Sequence, residues 1–220
     1  MEYNKVWDFF DEIYCINLDH RTDRWEKVQQ EFDSVGVLPK IQRFSAIKEN
    51  DGRLGIIKSN LAVVKMAKEK GLKNVLIFED DVHFINSTVE VLEKSLSQMA
   101  NLDWWLLYLG ANTHEPLQLF TKSKPNVLVL KNAFAAHSLC YNKKTFDFFI
   151  RKYDGLEKVE YGDILDVFLA QYFQKKNLCL VCNPIITTQS ESYSDIEKQN
   201  VNYTFIEERF KANTKNIKLD

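Results

Sequence analysis

The chain has 220 residues, 45% of them hydrophobic, with 29 basic side chains against 31 acidic. That length and apolar content can bury one substantial core, so a single domain is expected over 1–212, with a flexible tail over 213–220. The near-balanced charge excludes the basic field with which nucleic-acid binders collect phosphates.

No stretch approaches the ~18 consecutive apolar residues of a membrane span, and the opening Met1-Glu2-Tyr3-Asn4-Lys5-Val6-Trp7 lacks a basic segment followed by an apolar one. Neither export nor a membrane span is expected, which leaves a cytoplasmic protein, free or peripheral at a membrane. Cys15, Cys140, Cys179 and Cys182 then read as thiols in a reducing compartment. Cys179 and Cys182 form a lone C-x-x-C whose sulfurs would lie on opposite faces of a strand, so buried structural cysteines are expected rather than zinc. Two glycosylation sequons, at Asn86 and Asn202, carry little weight without export.

Ile13 to Leu18 is apolar and β-rich and stops at the polar cluster Asp19 to Arg24, a first strand and its exit loop. Trp25, Val28, Phe32 and Val35 recur at helical spacing, with Thr22 as N-cap and Gly36 beyond the C-terminus. Ile41 to Ala46 is a second strand, and Ile57, Leu61 and Val64 mark a helix ending at Gly71. Val75 to Phe78 is an apolar run that ends in three carboxylates, Glu79-Asp80-Asp81. A capping box, Ser87-Thr88-Val89-Glu90, opens a helix with Val91, Leu92 and Leu96 facing inward, and Trp104 to Leu109 is a fourth strand. Ala111 to Asn126 is a long loop, followed by strands at Val127–Leu130 and Phe134–Tyr141 and a helix at Thr145–Tyr153. A helix begins at Asp163, strands follow at Leu178–Val181 and Ile185–Thr188, and Asn213 onward frays. Alternation of strand and helix predicts an α/β fold with a mixed, mostly parallel sheet flanked by helices.

Three consecutive carboxylates at a buried strand's end repel one another unless a cation neutralises them. Oxygen ligands suit Mg²⁺ or Mn²⁺, and open α/β sheets bind ligands outside the carboxyl ends of their strands. The alternative is a solvated turn in which the acids face water.

Taken together and in order, Tyr14-Cys15-Ile16-Asn17-Leu18-Asp19-His20-Arg21-Thr22-Asp23-Arg24, Leu76-Ile77-Phe78-Glu79-Asp80-Asp81-Val82, Asp103 to Gly110 and Ser192-Tyr193-Ser194-Asp195-Ile196 resemble glycosyltransferase family 25. That family holds lipopolysaccharide-type β-galactosyltransferases and relatives that glycosylate hydroxylysine in collagen. The resemblance implies the GT-A nucleotide-sugar-binding fold, an inverting mechanism, a UDP-sugar donor carrying galactose or glucose, and Mn²⁺ (or Mg²⁺) held by the acidic motif. The acceptor would be a glycan, a glycolipid or a hydroxylated protein.

The resemblance assigns metal ligation to Asp81 and Asp80, with His137 as a further metal or sugar contact. Glu79 would reach the ribose or orient a ligand, as Asp80 also could. Asn17, Arg21 and Arg24 fall at the nucleotide, the alternative for the two arginines being a surface pair with Asp23 or Asp19. Asp166, in an Asp-x-x-Leu match, is the first choice for general base and Asp163 the second; either could instead favour a helix N-terminus. Ser190, Ser194 and Asp195 would close over the donor phosphates. Trp104 and Trp105 read as core residues. The family's usual Gly-Cys-x-x-Ser-His block is here Gly55-Ile56-Ile57-Lys58-Ser59-Asn60, with asparagine at the histidine position.

Two other readings compete: a lapsed nucleotide-sugar-binding or scaffold protein of the same fold, and a metal-dependent phosphoryl hydrolase. The second lacks the Asp-x-Asp-x-Thr spacing of haloacid-type phosphatases.

Overall fold

A computed structural model of the chain describes residues 2–119, 125–194, 199–203 and 205–217. In chain order the elements are β1 (Glu12–Asn17), α1 (Thr22–Ser34), β2 (Ile41–Ser45), α2 (Gly52–Glu69), β3 (Asn74–Glu79), β4 (Val82–Phe84), α3 (Thr88–Met99) and β5 (Leu106–Tyr108). There follow β6 (Asn112–Thr113), β7 (Gln118–Leu119), β8 (Val127–Val129), β9 (Ala133–Phe134), β10 (Ser138–Asn142), α4 (Lys143–Tyr153) and α5 (Leu165–Phe168). The last are β11 (Cys179–Cys182), β12 (Thr187–Gln189), β13 (Ser192–Ser194), β14 (Gln199–Val201) and α6 (Phe205–Thr214).

The main sheet runs β2-β1-β3-β10-β5-β11-β8-β7, with β10 and β8 opposed to the other six. It is the mixed, mostly parallel α/β sheet expected from the sequence. From β1 the chain crosses to β2 on one side through α1, and then to β3 on the other side through α2. Strand order therefore reverses between β1 and β3, the place where open α/β sheets leave a crevice beyond their carboxyl ends.

Helices cover both faces, which is why the central strands are apolar without a break. Val75 and Ile77 of β3 pack with Ile57 and Leu61 of α2 and Phe149 of α4; Leu76 and Phe78 pack with Val28 and Phe32 of α1 and Leu92 of α3. By the same alternation Glu79 turns toward the α2 face. Cys179 and Cys182 fall in the two opposite cores, both free and buried, as their spacing predicts.

Several local expectations are corrected. Thr22 opens α1 inside its first turn, with Arg21 at the cap position and no side-chain cap bond. Ser87 caps α3 without a side-chain bond, so the capping box does not form; Thr88 Oγ1 instead donates back to Ile85 O at 3.0 Å. The apolar strand does end in the acids, at Glu79 as expected, whereas Val82 to Phe84 form a separate strand, not expected from the sequence, paired antiparallel with β12. Gly110 sits where that pairing crowds β5, since a Cβ there would lie 1.9 Å from Thr187 O. The helix expected from Asp163 is broken into a 3₁₀ turn (Tyr161–Asp163), α5, a π-helical turn (Leu169–Phe173) and a further 3₁₀ turn (Gln174–Lys176). Asn213, where the sequence suggested fraying, donates from Nδ2 to Thr113 O at 3.0 Å, and its own carbonyl accepts from Leu117 N.

Candidate active site

Beyond the carboxyl ends of β1 and β3 lies a cavity of about 720 Å³. Glu79, Asp80 and Asp81 line it at the end of β3, Arg24 reaches it from α1, and the 46–50 loop with the first turn of α2 forms one wall. Asn112, Phe134, Asp166 and Tyr203 also line it.

Asp80 is held rigidly. Arg24 Nη1 donates to its Oδ1 at 2.6 Å and Asn17 Nδ2 to its Oδ2 at 2.7 Å, while Arg43 Nε donates to Asn17 Oδ1 at 2.9 Å. Asn17 is buried and does not line the cavity, so it acts through Asp80. Asp81 has weaker support: Gln189 Nε2 lies 3.3 Å from Oδ2 and Arg24 3.9 Å from it. Burial pushes the Asp81 carboxyl up to about 6, with Arg24 opposing the shift and Asp80 adding to it. Glu79 is raised well above the usual carboxylate range, first by burial and then by Asp81, Asp166 and Asp80.

Asp166 joins these acids from α5. Its Oδ2 accepts from Ala135 N at 3.0 Å, and burial raises its pKa against the pull of the Ala135 and Ala136 amides. Ala135 holds a left-handed backbone, φ 69°, and the chain just before it is clamped by buried Gln174. Gln174 accepts from Ala133 N at 2.9 Å and donates to Ala133 O at 2.8 Å.

Other predicted residues lie elsewhere. Arg21 makes a forked pair with Asp23 (3.0 and 2.9 Å) and does not line the cavity, the surface pair weighed for it above. Asp163 accepts from Lys152 Nζ at 2.5 Å and from Glu160 N at 3.0 Å, which lowers its pKa and leaves it outside the cavity lining. His137 is fully buried off the cavity; burial pushes its imidazole down to about 4, and among the described residues neither ring nitrogen makes a well-formed hydrogen bond. It is an uncharged core histidine and does not join the three acids. Ser190 donates its backbone N–H to Asp81 O at 2.8 Å. Ser194 is described only as backbone in β13, and Asp195 lies outside the described residues. Trp104 packs at 6.1 Å on Phe9 and Trp105 stacks at 5.7 Å on Phe148, as core residues do.

The Gly55–Asn60 block explains itself locally. A Cβ on Gly55 would lie 2.7 Å from Ile47 O, and Ser59 Oγ accepts from Ile47 N at 2.8 Å, so both residues seat the 46–50 loop against α2. Asn60 points away from the cavity, donating to Ile56 O at 2.9 Å and lying 3.4 Å from the Tyr141 hydroxyl. Gln189, Asn112, Phe134 and Tyr203 were not foreseen; Gln189 meets Asp81 across 108 positions, and no local pattern announces it.

Among the described residues, no three or more His, Cys, Asp or Glu side chains are grouped to hold a metal unaided. The donor set fits a different kind of site. Mg²⁺-type ions keep several waters and bind through one or two carboxylates plus substrate phosphates. Asp81, with Asp80 beside it, supplies that minimum; burial is the first cause that raises the Asp81 and Glu79 carboxyls, and the neighbouring acids add to it.

The fold is shared with a solved structure: the chain superposes on a glycosyltransferase involved in the glycosylation of the major capsid of PBCV-1, with a TM-score of 0.52 over 79% of this chain and 81% of that one, at 8% identity. No family model matches the chain. Among curated proteins it is 28% identical over 152 residues to mouse procollagen galactosyltransferase 2, covering 56% of this chain and 24% of the relative. It is 29% identical over 135 residues to human inactive glycosyltransferase 25 family member 3, covering 49% and 23%. The resemblance to glycosyltransferase family 25 thus rests on whole stretches as well as on motifs, and the chain spans about a quarter of the length of the curated relatives it matches.

Proposed function

We propose that the chain is a glycosyltransferase domain that moves a hexose, galactose or glucose, from a UDP-sugar to a hydroxyl acceptor with inversion. The observation that carries this reading is the meeting of Asp81 and Asp166 in one cavity at the switch point of the sheet, two largely buried carboxylates from chain segments 85 positions apart.

Asp81 and Asp80 would hold Mn²⁺ or Mg²⁺, and the chemistry such an ion supplies when bound is neutralisation of the charge that develops on the departing diphosphate. Arg24 keeps Asp80 fixed and offsets part of the acids' mutual repulsion. Lys48, exposed on the wall of the same cavity, is available to a phosphate. Asp166, oriented by the Ala135 amide, receives the proton of the acceptor hydroxyl as its oxygen attacks the anomeric carbon. A carboxyl raised by burial is a stronger base than a solvated one, which suits that task.

A second reading, a nucleotide-sugar-binding protein without turnover, is favoured by relatives whose names call them inactive. One experiment separates the two: a panel of UDP-sugars assayed for Mn²⁺-dependent release of UDP, alongside the melting temperature with UDP and Mn²⁺. Hydrolysis of one donor together with a raised melting temperature supports the transferase. A raised melting temperature without hydrolysis, whatever the acceptor, supports the binding protein, and no shift at millimolar UDP and Mn²⁺ sinks both.

A further inference from the structure

We infer that the acceptor is a sugar ring seated on the wall made by Asn112 and Phe134, an inference that rests on Asp166 being the base. Strands β6 and β9 pair so that Asn112 stands directly opposite Phe134, and both line the cavity. The residue after Phe134 is Ala135, whose amide holds Asp166, so this wall lies beside the group that would take the proton.

Each wall residue is fixed in place. The ring of Phe134 forms a T-shaped pair with His114, with centroids 5.1 Å apart and planes at 86°. Arg209 Nη1 lies 2.7 Å from Asn112 Oδ1. A guanidinium only donates, so the amide must turn its oxygen to Arg209 and leave Nδ2 as a directed donor. Among the described residues Nδ2 has no hydrogen-bond partner. Tyr203 and Leu165 line the same cavity.

A half-buried aromatic face beside one fixed N–H donor matches a pyranose: its C–H face lies on the ring while a hydroxyl accepts from the amide. A hydroxylated lysine side chain is a flexible aliphatic arm and offers the ring no flat face. In the transfer, the acceptor oxygen forms its bond to the anomeric carbon, the bond from that carbon to the diphosphate breaks, UDP leaves, and the hydroxyl proton passes to Asp166.

The test reads binding without turnover. Methyl pyranosides and a hydroxylysine-containing peptide are titrated into the protein with UDP and Mn²⁺ present and followed by saturation-transfer NMR. The wild-type chain is expected to show a pyranoside signal. Phe134→Leu and Asn112→Asp should each weaken pyranoside affinity about tenfold, the size of a lost stacking contact or hydrogen bond. Asn112→Asp keeps an oxygen for Arg209 while it replaces the donor by a charged acceptor. Asn112→Ala removes the donor without adding charge and should weaken affinity to the same extent, and a melting temperature that still rises with UDP and Mn²⁺ certifies each variant's fold. Equal affinity in wild type and all three variants, absence of any pyranoside signal, or preference for the peptide overturns the inference. Donor hydrolysis is scored separately, so a chain that binds pyranosides through this wall but never releases UDP refutes the transferase and leaves the sugar subsite in place.

Discussion

The Ala135 amide donates to Asp166 Oδ2 at 3.0 Å from a residue whose own φ is 69°, a left-handed conformation that a Cβ disfavours. Backbone strain of this kind persists where the surroundings over-determine it, and here Gln174 grips Ala133 two residues away. Ala135→Gly removes the Cβ penalty and keeps the N–H. Set against glycine's greater chain entropy, the net gain is roughly 0.5–1 kcal/mol. A calorimetric melting temperature higher by a few degrees is the expected outcome; a fall would mean that the methyl group's packing outweighs the strain.

The two carboxylates considered for the base are separated by their partners. Asp166→Asn should lower transfer by about 10²–10⁴-fold, the usual worth of a general base. Asp163→Asn should leave transfer within a few-fold and instead cost about 1 kcal/mol of stability, since Asp163 pairs with Lys152 and caps the Glu160 amide. Initial rates and chemical denaturation of both variants decide the assignment, and equal rate losses would refute it.

Asp81 titrates at about 6 in the folded chain against an ordinary value of 3.8, because burial disfavours its charge. The folded state then holds this proton more tightly than the unfolded state. The resulting stabilisation is present below 3.8 and is lost as pH rises through the folded value of about 6. Glu79 and Asp166 act in the same sense. Melting temperatures of the free protein and of Asp81→Asn, taken across that range, should diverge in the variant's favour as pH rises. A constant gap between the two curves would contradict the shift.

Asn60 stands where the related family usually has histidine, yet it faces Tyr141 and the α2 backbone rather than the cavity. Asn60→His should therefore change stability, by about 1–3 kcal/mol for overpacking a buried position, and leave the KM for donor unaltered. A marked improvement in donor affinity would show that the asparagine does limit the site.

What could be read in the sequence followed from periodicity and charge. The β3 run, the α2 stripe and the acids at 79–81 each announce themselves within a few residues, because a buried strand or helix face is written locally. Asp166 was visible through a short motif. The Asp81–Gln189 contact, the two-residue pairing of β6 with β9 and the packing of α6 through Ile206 and Phe210 depend on tertiary meeting of distant segments, for which the local pattern carries no mark. Ser87 shows the converse: the capping-box spelling was present, but Thr88 bonding back to Ile85 O took its place.

The π-helical turn at Leu169–Phe173 falls between Asp166 and Gln174. Eight positions of a regular α-helix complete two revolutions and overshoot by about 80°. One widened turn, in effect an inserted residue, takes back most of that overshoot. Its consequence is one of phase: the Asp166 carboxylate and the Gln174 amide emerge on the side of the helix that faces the 133–135 loop, and each grips that loop. Removing a single residue from 169–173 would rotate one grip away from the other and uncouple the loop from its helix, even with every side chain at the cavity left in the sequence.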